Sequence, residues 1–257
     1  MIEESDETVR MNALNGDDRR SRGDRAASVS VSVIVPMWNE ATAIVDTLES
    51  LLLVDPDEVI VVDAMSEDGS IELARSVESN RIRLLPSRRG RGVQQNVGAR
   101  ASSGDVLLFL HADCRLAPNA IKAIRECVER RPDIAWGCLR MRVSDDDLRF
   151  RLVDAAAHLR AGTIGIAYGD QGIFMRRWAF EAIGGFPEIA LMEDVYVSSA
   201  LRKLGRPALV GATITVSPRR WKRKGMIRQT LTNWTLTFLA AIGVPPAALA
   251  RFYPIVR

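Results

Sequence analysis

The chain has 257 residues and 28.4 kDa, with 47% apolar residues, 26% charged residues and a mean hydropathy near zero, the profile of an ordinary globular domain with a sizeable core. Three cysteines, Cys114, Cys127 and Cys138, are too few and too irregularly spaced for a disulfide framework or a zinc site, which excludes a secreted mini-protein and points to a reducing compartment. The net charge of +3 hides an asymmetry: residues 1–29 carry 5 basic and 7 acidic groups, residues 30–194 carry 19 and 25, and residues 195–257 carry 11 and none. A wholly basic last quarter suits a surface that meets phosphates, lipid headgroups or nucleic acid, or a solvated face.

Residues 1–29 are polar, mixed in charge and without periodicity, and read as a disordered leader; with no apolar h-region they do not read as a signal peptide. From Ser30 apolar runs alternate with helical patterns. Strand Val31–Val35 is followed by a helix with Ile44, Leu48, Leu51 and Leu52 on one face, then by strand Val59–Val62. The rhythm continues with a helix near Ile71–Val77, a strand Ile82–Leu85, a helix Val93–Ala101 and an apolar strand Val106–Leu110. Strands apolar on both faces belong in a parallel sheet covered by helices.

After Pro118 a helix to Arg130 and a longer strand Ile134–Val143 are expected, then a helix Leu148–Leu159, a glycine-rich loop and a strand Gly172–Met175. A helix from Glu193 and a strand Ala208–Val216 complete the pattern. From Met226, apolar residues recur at Ile227, Leu231, Trp234, Phe238 and Ile242, one face of a helix. Its longest apolar run, Phe238–Ala250, is 13 residues broken by Gly243 and Pro245-Pro246, too short for the ~20 needed to cross a bilayer.

In an open parallel α/β sheet ligands bind beyond the carboxyl ends of the strands. Here those ends are polar and acidic: Pro36 to Glu40 after the first strand, Asp63 to Gly69 after the second, and His111, Ala112 and Asp113 after the fourth. There is no G-x-G-x-x-G after the first strand and no G-x-x-x-x-G-K-[ST], so a phosphate must be held otherwise. A strand-end carboxylate such as Asp113 can do so through a divalent cation that bridges diphosphate oxygens.

The segments P-M-W-N-E at 36–40, V-V-D-A-M-S-E-D-G-S at 61–70, N-V-G at 96–98, G-D-V-L-L-F-L-H-A-D at 104–113, G-G-F-P at 184–187 and M-E-D-V at 192–195 together resemble family 2 glycosyltransferases of the GT-A fold. More narrowly, L-F-L-H-A-D, Gly169-Asp170-Gln171, L-M-E-D and Arg219-Arg220-Trp221 resemble a bacterial subgroup often encoded beside radical-SAM and selenium-domain proteins. The resemblance implies a Rossmann-like, mostly parallel sheet flanked by helices, with a GT-A domain over 30–221 and an amphipathic helical extension over 222–257.

It also implies that Pro36, Asn39, Glu40 and Asp63 surround the donor nucleoside, that Arg91 meets base or diphosphate, and that Asn96 and Gly98 are structural. Family members carry D-x-D at the metal site; here His111 stands first, and Asp113 resembles the ligand of a divalent metal, Mg or Mn. Asp194 resembles the catalytic base, although Asp194 or Glu193 could equally cap the helix that follows. Asp170 and Gln171 fall to the acceptor side, and Arg220-Trp221 resembles the end of Q-x-x-R-W, with Ser217 in place of glutamine, so processive polymerisation is not expected. Trp221 could also be plain core.

The expected activity is inverting, metal-dependent transfer of a sugar from a nucleotide diphosphate to a hydroxyl acceptor, a lipid-linked one among the candidates. Its rivals are a nucleotidylyltransferase, which wants a glycine-rich basic loop after the first strand where Pro36–Glu40 has no glycine, and a non-catalytic binder of RNA or anionic membrane, which leaves the acidic strand ends without a reason. No nucleic-acid partner is expected. The basic residues from Arg219 to Arg228, set before the amphipathic helix, admit two readings: docking of a cytoplasmic enzyme on the inner face of the cell membrane, or packing of the apolar stripe on the enzyme's own core or on a second subunit of a homodimer.

Overall fold

The computed structural model describes residues 28–252, apart from the side chains of Arg220 and Ala241, so the predicted leader lies almost wholly outside the described residues. Eight strands form one sheet in the order β3-β2-β1-β4-β7-β6-β8-β5. Strands β1 (Val31–Met37), β2 (Glu58–Asp63), β3 (Ile82–Pro86) and β4 (Val106–Phe109) run parallel. Strand β7 (Ile173–Arg176) lies antiparallel between β4 and β6 (Trp136–Val143); β6 then pairs in parallel with β8 (Ala208–Val216), and β5 (Cys114–Leu116) closes the edge antiparallel to β8. The sheet is therefore mixed, with its parallel part confined to the first four strands and to the β6–β8 pair.

The alternation of β1 explains its central place. Val31, Val33, Val35 and Met37 enter one core with Ile44, Leu48 and Leu51 of helix α1 (Ile44–Leu53), while Ile34 enters a second core with Ala99 of α3 (Arg91–Ala101). Both faces of the strand are buried except at the half-buried Pro36, which favours apolar residues, and the one buried polar side chain, Ser32, donates to Glu58 at 2.6 Å. Helix α2 (Ser70–Ser76) bridges β2 and β3, and α4 (Ala120–Arg130) buries Ile121 and Ile124 in the first core. The second half adds α5 (Arg149–Ile164), a 3₁₀ turn at Gly169–Gln171, α6 (Arg177–Ala182) directly after β7, α7 (Glu193–Leu201), α8 (Arg219–Lys224), α9 (Met226–Ala241) and α10 (Pro246–Ala250).

Helix α9 departs from the packing reading. Leu236 and Ala240 join a small core with Ile166, Val195 and Leu249, and Gln229 is buried beside them in the chain. The predicted stripe of Ile227, Leu231, Trp234, Phe238 and Ile242 instead points away and is exposed, so it does not pack on the enzyme's own core. Among the described residues no helix is long and apolar enough to cross a membrane.

Candidate active site

The carboxyl ends of β1, β2 and β4 open into a cleft of about 770 Å³. Its walls come from the β1 end (Pro36, Asn39, Glu40), the start of α3 (Arg91), the turn after β4 (His111, Asp113), the 3₁₀ turn (Asp170), the start of α7 (Glu193, Asp194) and α8 (Arg219, Trp221). Distant stretches of chain thus meet where the sheet topology predicts a ligand.

The β1 end is held by its neighbour rather than by regular structure. Asn39 takes a left-handed conformation (φ 52°), its amide donates to the Ser66 hydroxyl at 2.8 Å, and its side-chain oxygen accepts the Glu67 amide at 2.9 Å. The Glu40 amide donates to the Ser70 hydroxyl at 2.7 Å. Asp63, at the end of β2, is 6% exposed and accepts both the hydroxyl (2.6 Å) and the amide (3.1 Å) of Ser66. It braces the loop that fixes Asn39.

Helix α3 locks the floor. Gln94, buried, donates from Nε2 to the carbonyls of Met37 (2.7 Å) and Val62 (2.8 Å), tying the ends of β1 and β2 together. Asn96 grips the Phe186 amide and carbonyl, both at 2.8 Å, which accords with its expected structural role. Arg91, first in the helix, reaches across the cleft to Glu193, with 3.2 Å between Nη1 and Oε1.

Asp113 faces Arg219, whose Nη2 lies 3.1 Å from Asp113 Oδ2 and 3.6 Å from Glu40 Oε2. The sequence alone did not single out Arg219 for the site; the signal was its place in the basic segment after β8. His111, Asp113 and Cys114 have ligand atoms within 4.8 Å of one another. Burial, followed by the nearby carboxylates of Asp113 and Asp170, pushes the Cys114 thiol far up, and soft sulfur is in any case an ill-matched donor for Mg²⁺ or Mn²⁺. The imidazole of His111 and the carboxylate of Asp113 remain, an N/O donor pair that suits Mn²⁺ or Mg²⁺ and leaves room for diphosphate oxygens.

Asp194 sits in the first turn of α7, but the helix has no side-chain cap. Its Oδ1 accepts the amide of the next residue, Val195, at 2.8 Å, and its Oδ2 accepts the amide of Gly169 at 2.7 Å. Desolvation, then repulsion from the Glu193 carboxylate, raises its pKa from 3.8 to about 6. Gly169 stands between the base candidate and the metal-site histidine: a Cβ there would lie 2.5 Å from His111 Nε2 and 3.6 Å from Asp194 Oδ2. A side chain there would collide with the imidazole, so glycine lets the turn pass against His111.

On the acceptor side Asp170 lines the cleft and a small adjoining pocket of about 30 Å³, as do Tyr168, Trp221 and Asn233. Trp221 is 8% exposed, packs edge-on against Phe150 at 6.1 Å and lines both cavities, so it is a core residue with an edge at the cleft. Gln171 does not line the cleft. Its Oε1 accepts the Tyr168 amide at 3.1 Å and the Arg160 guanidinium, and its Nε2 donates to the Ala157 carbonyl, so the buried side chain builds the turn. The side chain of Arg220 lies outside the described residues. Trp38, with the Arg89 guanidinium 3.3 Å from its ring centroid, is a cleft residue that carried no assigned role in the sequence.

An α/β sheet with carboxylates at adjacent strand ends, facing a further carboxylate across a nucleotide-sized cleft, defines a GT-A type transferase fold. Residues 32–184 match the model of glycosyl transferase family 2, and the chain belongs to that family. It is 38% identical over 124 residues to the glycosyltransferase AglD of Haloferax volcanii, covering 44% of this chain and 19% of AglD. It is 28% identical over 158 residues to the undecaprenyl-phosphate 4-deoxy-4-formamido-L-arabinose transferase of Yersinia enterocolitica, covering 58% of this chain and 48% of that one. The chain thus spans less than two thirds of these relatives. The mannosyltransferase PcManGT of Pyrobaculum calidifontis, solved with GDP-Man and Mn²⁺, shares the fold with a TM-score of 0.64 and 24% identity over 87% of this chain and 68% of its own.

Proposed function

We propose that the chain transfers a sugar from a nucleotide diphosphate to a hydroxyl acceptor with inversion, using a divalent metal. The observation that carries this reading is the convergence of Asp113, Arg91 and Asp194 on one cleft from three distant segments. PcManGT, with its GDP-Man and Mn²⁺, supports the donor class and the metal, and the Yersinia relative supports a lipid-linked acceptor. The narrower subgroup placement rests on L-F-L-H-A-D, Gly169-Asp170-Gln171, L-M-E-D and Arg219-Arg220-Trp221 taken together.

In this reading Pro36, Asn39 and Glu40 border the nucleoside, Arg91 and Arg219 meet the diphosphate, and Asp170 and Trp221 border the acceptor. Held by Asp113 with His111 beside it, a Mg²⁺ or Mn²⁺ ion would neutralise charge on the departing diphosphate. The acceptor hydroxyl attacks the anomeric carbon and gives its proton to Asp194; the bond from that carbon to the diphosphate oxygen breaks, and its electron pair leaves with the nucleoside diphosphate. A carboxylate with a pKa near 6 is ionised at neutral pH yet basic enough to take that proton. Residues 30–221 would carry the chemistry and 222–257 the extension.

Calorimetry with UDP and GDP, each with and without Mn²⁺, tests the reading. Metal-linked binding of one nucleotide is expected in the parent chain and its loss in Asp113→Ala, with the melting curve retained. Unchanged metal-linked affinity in that variant removes Asp113 from the site.

A further inference from the structure

Helix α9 buries a mixed face, with Leu236 and Ala240 in a small core, and exposes an apolar stripe. Its inward side carries Gln229 and Asn233, linked by a 2.6 Å hydrogen bond, and Thr237, which bonds the Tyr168 hydroxyl beside the cleft. That polar side is used by the site, since Asn233 lines the cleft. The opposite side carries five large apolar residues at helical spacing, exposed from 52% at Trp234 to 75% at Ile227. Single exposed apolar side chains need no explanation, but a continuous stripe along a whole helix marks a surface that something covers. Helix α5, which shares the small pocket with α9, also turns Leu148, Leu152 and Leu159 outward.

The charge around the stripe selects the occupant. Residues 219–228 hold six basic groups, and residues 195–257 hold no acidic one. Arg219 and Arg223 line the cleft and Lys222 pairs with Asp145 at 2.6 Å, whereas Arg228 is exposed in the first turn of α9. A second copy of the chain would set this basic segment against itself, which like-charge repulsion opposes. An anionic bilayer complements it: the cations meet headgroups while the apolar stripe enters the boundary with the acyl chains. The 16 residues of α9, about 24 Å, suit a helix lying in the interface, and no described helix crosses a membrane.

We propose that the outer face of α9, with its stripe from Ile227 to Ile242 and its basic N-terminal flank, is a docking surface for an anionic lipid bilayer. The surface is independent of the chemistry proposed above. If that chemistry holds, docking brings the side of the cleft lined by Asn233 and Trp221 toward the bilayer, where a lipid-linked acceptor would be presented; this last consequence rests on the transfer reading.

Co-sedimentation of the full 257-residue chain with phosphatidylcholine vesicles, with and without phosphatidylglycerol, tests it. Binding about tenfold or more tighter to the anionic vesicles is expected, weakening as salt rises. The double variant Leu231→Ser with Phe238→Ser alters side chains already in water, so its melting temperature should match the parent while anionic-vesicle binding drops about tenfold or more. Equal recovery in the supernatant with both vesicle types overturns the proposal. So does a concentration-dependent dimer that the double variant converts to monomer, which would assign the stripe to a second copy. Nucleotide and Mn²⁺ binding measured on the same samples separates the two readings: vesicle binding without a nucleotide response overturns the transfer reading alone, and the converse overturns docking alone.

Discussion

Asp194 is the residue whose surroundings say most about chemistry. Two backbone amides hold its oxygens in place, yet poor hydration and the neighbouring Glu193 make its ionised form costly, so the carboxyl is well positioned and unusually basic. A base must be ionised to act, so kcat/KM should rise with pH through an apparent pKa near 6 and level off above it. Because the folded pKa exceeds the ordinary 3.8, the linked stability is present below that value and is lost as pH rises through about 6. Asp194→Asn removes the buried charge but puts an NH₂ where one amide now donates, and these effects oppose each other. Its melting temperature at pH 8 should therefore stay within a few degrees of the parent while turnover falls about 10²-fold or more and the acid limb disappears. A variant that keeps the limb, or a product whose anomeric configuration by NMR matches the donor, removes Asp194 from the role of base in a single displacement.

At the scale of elements, the floor of the cleft depends on amide side chains of α3 as much as on the strands. Asn96→Ala would orphan the buried amide and carbonyl of Phe186, each worth about 1–3 kcal/mol when left unpaired. Chemical denaturation should show a loss of about 2–4 kcal/mol, whereas a loss below 0.5 kcal/mol, the range of ordinary surface substitutions, would mean that the turn at Gly185 holds itself. Such clamps were only partly legible beforehand. The runs Val31–Val35, Val59–Val62 and Val106–Leu110 announced their strands because a strand buried on both faces must be apolar throughout, and the β8 limits were read without error. Strand β5 has only three residues, and α6 begins without a loop after β7, so neither leaves a periodic trace. Antiparallel insertion of β7 between β4 and β6 depends on long-range pairing that no local pattern encodes. Helix α9 was legible as a helix, but spacing tells that a face is apolar and not which way it points; in the fold the inward side is the one that buries Gln229, Leu236 and Ala240 and sets Asn233 in the cleft wall. At the site, strand-end carboxylates were readable from chain order. Asp63 and Gln171 were legible as polar residues beside a ligand loop, but the part their side chains take in building that loop was not, because it depends on hydrogen bonds to neighbours that no pattern of residue types specifies.

Over the whole molecule, the chain folds its basic last quarter back across the acidic strand ends. The cleft is lined by six carboxylates, of Glu40, Asp68, Asp113, Asp170, Glu193 and Asp194, against four guanidinium groups, of Arg89, Arg91, Arg219 and Arg223. With the carboxylates ionised its formal balance is −2, so a diphosphate entering alone meets net repulsion, and a divalent cation entering alone must displace Arg219 from Asp113. Each ligand relieves the other's difficulty: the metal cancels the excess negative charge, and the diphosphate gives the displaced Arg219 a new anionic partner. Metal and nucleotide should therefore bind cooperatively, with Mn²⁺ tightening nucleoside diphosphate by about tenfold or more and the nucleotide tightening Mn²⁺ by the same factor, as linkage requires. Paired calorimetric titrations, each ligand into the free and the preloaded chain, measure both sides of that equality. In Arg219→Ala the cation no longer competes for Asp113, so Mn²⁺ alone should bind more tightly than to the parent while its coupling to nucleotide shrinks. Independent binding of the two ligands in the parent would mean that the cleft charges are screened by solvent and that Asp113 and Arg91 do not share one ligand.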